Sequence, residues 1–117
     1  MMGTRCDIYI ENNDGTHIGA QCLFDGYPEH ILKELEYCDY KMLKDYIVLA
    51  GSRGGFRLFY PTKGETEFAG GLPYYTYNPH SKNNDADYVY VVDKNNKINW
   101  KERGSQSWEI QWHRKQQ

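Results

Sequence analysis

Alternation of apolar and polar positions opens the chain. Cys6, Ile8 and Ile10 alternate with Asp7, Tyr9 and Glu11; Ile18, Ala20, Cys22 and Phe24 alternate with His17, Gly19, Gln21 and Leu23. A period of two marks strands with one buried face. Asn12-Asn13-Asp14-Gly15 lies between the runs, and Asp-Gly is a strong hairpin signal. Residues 5–24 are expected to form a β-hairpin with Cys6 and Cys22 on its buried face, as small core hydrophobes. The period then changes. Pro28 presets a helical φ and lacks the N–H that a first turn would leave unpaired, and Ile31, Leu32, Leu35 and Cys38 recur at helical spacing. Asp39 is placed to cap a second helix carrying Met42, Leu43, Tyr46, Ile47 and Leu49, with Gly51 as its stop. Two helices and one bent helix fit this pattern equally well.

Beyond Ser52 the pattern loosens. Phe56–Tyr60 reads as a short strand, and residues 61–87 as a long Gly-, Pro- and Tyr-rich loop holding Tyr74-Tyr75-Thr76-Tyr77. So long a loop in a small domain is unusual and often functional. Alternation returns in Tyr88–Val92, then Ile98 and Trp100, then Trp108, Ile110 and Trp112, with Asp93–Lys97 as a turn and 113–117 as a polar tail. Hairpin, helices and meander together predict an α+β domain: a mostly antiparallel sheet with one or two helices on one face.

The length of 117 residues fits one domain over 1–117. Fourteen basic against sixteen acidic residues give a net charge of −2, which argues against coating of long nucleic acid. No apolar run is long enough for a bilayer, and the first residues have no apolar signal region. Three cysteines without paired spacing suit a reducing compartment. Eleven tyrosines change the picture more: they suit stacking or interface sites, and equally a β-rich domain.

Candidate chemistry gathers at the join of strand and helix, Cys22-Leu23-Phe24-Asp25-Gly26-Tyr27-Pro28-Glu29-His30. Gly26 is expected to relax the backbone there, and the helix dipole favours a polar or anionic group. Asp25 reads as a helix cap or a general base, and His30 as a helix-surface residue. The hairpin should bring Thr4 and Arg5 beside Phe24 and Asp25. Arg5 then either forks onto a phosphate or base edge or pairs with Asp25, and the two roles are compatible. The four histidines lack ligand spacing with the cysteines, so no metal or cofactor is expected. Neither a nucleophile elbow nor a phosphate-binding loop is present, and no catalytic residue is assigned.

Gly3-Thr4-Arg5, an Ile-rich strand, an Asp-Gly turn and Cys-x-Phe-Asp-Gly-Tyr-Pro-Glu-His together resemble a widespread family of small phage proteins. These open Gly-Thr-Arg-Ser and carry Cys-His-Trp-Asp-Gly-Tyr-Pro before a Leu-rich helix. The resemblance covers roughly the first fifty residues. This chain departs from it with Cys6 for Ser, Leu23-Phe24 for His-Trp, and the long Gly/Tyr insertion. The family resembles the anti-CBASS sponges, which sequester cyclic dinucleotides of the cyclic GMP–AMP type without cleaving them, as homo-oligomers such as tetramers. The resemblance thus implies a non-enzymatic immune-evasion protein in the cytoplasm of an infected bacterium. Stacked bases at about 1–3 kcal/mol each would fall to Phe24, Tyr27, Tyr74, Tyr75 and Tyr77. Phosphates would fall to Arg5 and Arg53, with Thr4, Asp25 and Gly26 shaping the site. Two other readings stand beside this one: a nucleotide-cleaving enzyme with Asp25 and His30 as acid and base, and an inhibitor of a host protein acting through the tyrosine-rich loop.

Overall fold

The computed structural model describes residues 3–82 and 84–111. Strands β1 (Cys6–Glu11) and β2 (His17–Cys22) form the expected hairpin, with Cys6 opposite Cys22 and Ile8 opposite Ala20. Helix α1 (Pro28–Tyr37) and helix α2 (Tyr40–Ser52) are separate, because Cys38 and Asp39 between them are extended. Asp39 caps α2 by accepting the Met42 N–H at 2.7 Å. Gly51 does not stop α2: it lies inside the helix, buried, and the chain turns away at Gly54, whose φ of 83° is left-handed.

Strands β3 (Phe56–Leu58) and β4 (Glu67–Phe68) follow, with a short 3-10 turn at Pro61–Lys63 between them. The meander β5 (Tyr88–Val92), β6 (Ile98–Glu102) and β7 (Glu109–Gln111) closes the chain. Trp108 precedes β7; Trp112 and the 113–117 tail lie outside the described residues. All seven strands share one sheet in the order β4-β3-β2-β1-β5-β6-β7.

That sheet is mixed. The hairpin and meander are antiparallel, but they join through a parallel β1–β5 pairing, and β2–β3 is parallel as well. A parallel neighbour needs a crossover of a dozen residues or more. The two helices provide one for β2–β3, and the long 61–87 segment helps provide the other.

Both helices cover one face. Ile31, Leu35, Leu43 and Ile47 pack on Cys6, Ile8, Ile10, Tyr90 and Val92, all fully buried. Burial pushes the Cys6 thiol well above its ordinary value, as suits a core position. The far face is closed too. Asp7 and Tyr9, expected to face solvent, are buried, and Val89, Val91 and Trp108 cluster around Tyr9. The 61–87 segment supplies part of that cover. Thr76 pairs with Gly19 along the free edge of β2, after which the chain crosses back so that the Asn78 carbonyl accepts the Tyr9 hydroxyl. No helix among the described residues is long and apolar enough to cross a membrane.

Candidate functional site

The strand-to-helix corner is built differently from its sequence pattern. Asp25, not Gly26, takes the left-handed conformation, with φ of 58°, a region an Asp tolerates better than most residues. Gly26 is required instead by close approach: a Cβ there would sit 2.9 Å from the Arg5 carbonyl carbon, the Cys6 nitrogen and Cys6 Cβ. Its N–H donates to the Thr4 carbonyl at 3.0 Å, and its carbonyl accepts the Tyr90 hydroxyl at 2.7 Å. Thr4 therefore serves the corner through its backbone.

Asp25 neither caps α1 nor pairs with Arg5. The N-cap is Tyr27, which makes no side-chain cap bond, and the Asp25 carboxylate accepts the Tyr60 hydroxyl at 2.5 Å. That bond raises the Tyr60 pKa far above its ordinary value. His30 is not on the surface. Its Nε2 lies 2.7 Å from the Phe59 carbonyl, which only accepts, so this nitrogen carries a proton. The Tyr60 ring packs against it, tilted by 38° with 4.1 Å between centroids, and Glu34, fully buried, lies 4.0 Å from Nδ1 while accepting the Thr62 N–H and hydroxyl. Packing of α1 onto the 3-10 turn draws His30 inward. Both members of the Asp25/His30 pair are thus engaged in holding the fold.

Phe24 and Tyr27 remain 40% and 39% exposed. Phe24 packs on Gly3 and lies under the Arg57 guanidinium, 5.7 Å from its ring centroid. An open groove of about 510 Å³ adjoins the corner, but Asp25, Glu65 and Glu67 line it with one lysine, Lys63. Its charge is wrong for a phosphate. Arg53 stands elsewhere, ending α2 and stacking over Phe68 at 5.4 Å.

The tyrosine run is divided by its pairing with β2. Tyr75 turns to the helix side, where its ring covers Gly51 and its hydroxyl donates to the Val48 carbonyl at 2.8 Å. Tyr77 lies beside it, with 6.4 Å between ring centroids, and is largely exposed. Tyr74 is near enough to Tyr9 to act electrostatically on its hydroxyl. Between this segment and the far face of the sheet lies a cavity of about 270 Å³. Asp7, Tyr9 and Gln21 line it from the sheet; Tyr74–Asn78, Ser81, Asn84 and Asp85 line it from the loop. Among the described residues, no Lys or Arg lines it.

Asp7 sets the chemistry of that cavity. It is 3% exposed; Oδ2 accepts the Asn84 amide, and the buried Oδ1 has no hydrogen-bond partner among the described residues. Burial pushes its carboxyl up to about 6; the Asn84 bond opposes the shift and Asp85 adds to it. Burial likewise raises the Tyr9 hydroxyl to about 12. In the period-two pattern Asp7 falls on the face of β1 opposite Cys6 and Ile8. A carboxylate between Cys6 and Ile8, with the amide- and acid-rich Asn84-Asp85 downstream, is the trace it leaves in the sequence. Aromatic walls and an acceptor without cations suit a flat ring with a donor-bearing edge.

The structure therefore does not bring the expected residues into one site. Thr4, Arg5, Phe24, Asp25, Gly26 and Tyr27 belong to the corner, Tyr74, Tyr75 and Tyr77 to the cavity lining, with Tyr75 also anchored on α2, and Arg53 to the end of α2. No family model matches the chain, and no curated protein or solved structure matches it significantly.

Proposed function

We propose that the protein is a non-catalytic sponge for a cyclic dinucleotide of the cyclic GMP–AMP type, a phage product that disarms bacterial anti-phage signalling in the cytoplasm of the infected host. The observation that carries this reading is the Tyr9/Tyr74 cavity with a buried carboxylate at its base. The Gly-Thr-Arg and Asp-Gly-Tyr-Pro motifs add the resemblance to sponges. At about 270 Å³ the cavity falls below the ~300–1,000 Å³ of pockets that enclose a whole drug-sized ligand. One base enters, and the phosphodiesters stay outside. Arg5 stands two residues before Asp7, with its backbone N–H on the Asp87 carboxylate. A second copy of the chain would cover the outer half of the ligand, which agrees with a homo-oligomeric sponge.

The deciding experiment mixes purified protein with cyclic GMP–AMP, measures loss of free ligand, then heat-denatures the protein and recovers the ligand. Intact recovered ligand is expected. Unchanged free ligand before heating ends the sponge reading, and converted ligand afterwards selects cleavage.

Residue roles separate cleanly. Arg5→Ala is expected to weaken binding at least about tenfold with an unchanged circular dichroism spectrum, because Arg5 is exposed and joins the corner through its backbone. Tyr74→Ala should weaken binding by about 1–3 kcal/mol, the value of one stacked base. Tyr75→Ala should chiefly lower the melting temperature, since its ring and hydroxyl are committed to α2. Equal binding losses for Tyr74→Ala and Tyr75→Ala, with unchanged melting temperatures, would refute this division.

A further inference from the structure

Asp7 stands in the middle of the sheet, on a strand with neighbours on both sides. An apolar β-branched residue would serve that position with no polar group to satisfy. Instead the fold buries a carboxylate and, among the described residues, gives it one donor, from Asn84, where two oxygens can accept about four. The donor it does have is a side-chain amide on the loop that roofs the cavity. An amide N–H in that position stands in for a ligand N–H approaching from the cavity side.

We propose that Asp7 is the reading head of a guanine-specific subsite, its two oxygens accepting the N1–H and N2–H of a guanine base that enters beside Tyr9 and Tyr74 and displaces the Asn84 amide. The argument from chemistry is one of matching edges. Guanine presents two adjacent donors, which fit a carboxylate in bidentate fashion. Adenine presents its amino group next to the N1 lone pair, so one Asp7 oxygen would face another acceptor. A site built around buried hydrogen-bonding groups rejects a ligand that leaves them unpaired. Gln21, opposite Asp7 on β2, offers an amide for the O6 side of the base. A described lining of aromatic rings, carboxylates and amides agrees with a base, not a phosphate, as the group that enters. For the remainder of the ligand this inference rests on the cyclic dinucleotide reading. A guanidinium ion carries the same paired donors, so it has its own arm in the test.

The test is calorimetric titration of the full chain and of Asp7→Asn with cyclic GMP–AMP, cyclic di-GMP, cyclic di-AMP, cyclic di-IMP, guanosine and methylguanidinium. The wild-type chain should prefer cyclic di-GMP to cyclic di-AMP by roughly 10- to 100-fold. Cyclic di-IMP, which lacks the 2-amino group, should fall between them. Asp7→Asn should bring cyclic di-GMP down to the cyclic di-AMP level and leave cyclic di-AMP unchanged. Equal wild-type affinities for cyclic di-GMP and cyclic di-AMP overturn the subsite while leaving the sponge reading in place. Asp7-dependent binding of guanosine without binding of any cyclic dinucleotide keeps the subsite and removes the sponge. Methylguanidinium binding as tightly as guanosine overturns the base assignment, and failure of every probe overturns both proposals. Equal wild-type affinities would overturn the subsite even if the variant folds poorly.

Discussion

Gly26→Ala is expected to destabilise the protein by about 3 kcal/mol, the upper end of what overpacking a close contact costs. The added methyl would meet the Arg5 carbonyl carbon, the Cys6 nitrogen and Cys6 Cβ at 2.9 Å, and backbone at the start of a central strand has nowhere to go. The shift needed to relieve it would also pull the Gly26 carbonyl from the buried Tyr90 hydroxyl, a bond worth about 1 kcal/mol. Gly15→Ala is the control. Gly15 has a left-handed φ of 87° with nothing within 4 Å of a built Cβ, so alanine there should cost only about 1 kcal/mol of backbone strain. Urea unfolding of the two variants and of Tyr90→Phe separates the effects. A Gly26→Ala cost no larger than that of Gly15→Ala would mean that the corner does not lean on β1 as closely as described.

What the sequence disclosed was what neighbouring residues decide among themselves. The hairpin, the Asp39 cap and the meander each follow from a turn signal and a period of two or 3.6 within a dozen residues. Pairings between distant strands leave no such mark. Nothing in Cys6–Ile10 or Tyr88–Val92 says that they run parallel, because both alternate and both have apolar faces. The same limit explains the corner. Asp-Gly allows either residue to be left-handed, and only the approach of Cys6 gives that conformation to Asp25 and the tight contact to Gly26. His30 and Glu34 lie on α1 near its apolar stripe, and the 3-10 turn that buries them is formed by residues about thirty positions later. The candidate site was legible in its aromatics but not in its acceptor. Tyr74 stood out, whereas Asp7 acquires its meaning only when a loop from the other half of the chain closes over it.

That closure has a measurable cost, and Asp7→Asn is expected to reveal it as a pH-dependent gain in stability. With its carboxyl raised to about 6 in the fold from an ordinary 3.8, Asp7 binds its proton more tightly folded than unfolded. Below about pH 4 both states are protonated and Asp7 costs nothing. Between about pH 4 and 6 the unfolded chain gives up this proton while the folded chain keeps it. Stability then falls as pH rises, by roughly 3 kcal/mol in all, and stays at the lower level above pH 6. Asparagine does not titrate and retains an oxygen for the Asn84 amide. The difference in unfolding free energy between Asp7→Asn and the parent should therefore grow by about 3 kcal/mol from pH 3.5 to pH 7.5. Urea titrations at four or five pH values measure it, and a difference that stays flat would mean Asp7 is better solvated than its burial implies. A strand position that weakens the fold at neutral pH, when an uncharged near-isostere is available, is what a binding group looks like in stability terms. Ligand that supplies the missing donors should offset the cost, so saturating cyclic di-GMP should narrow the stability gap between parent and variant at pH 7.5, and leave it unchanged at pH 3.5.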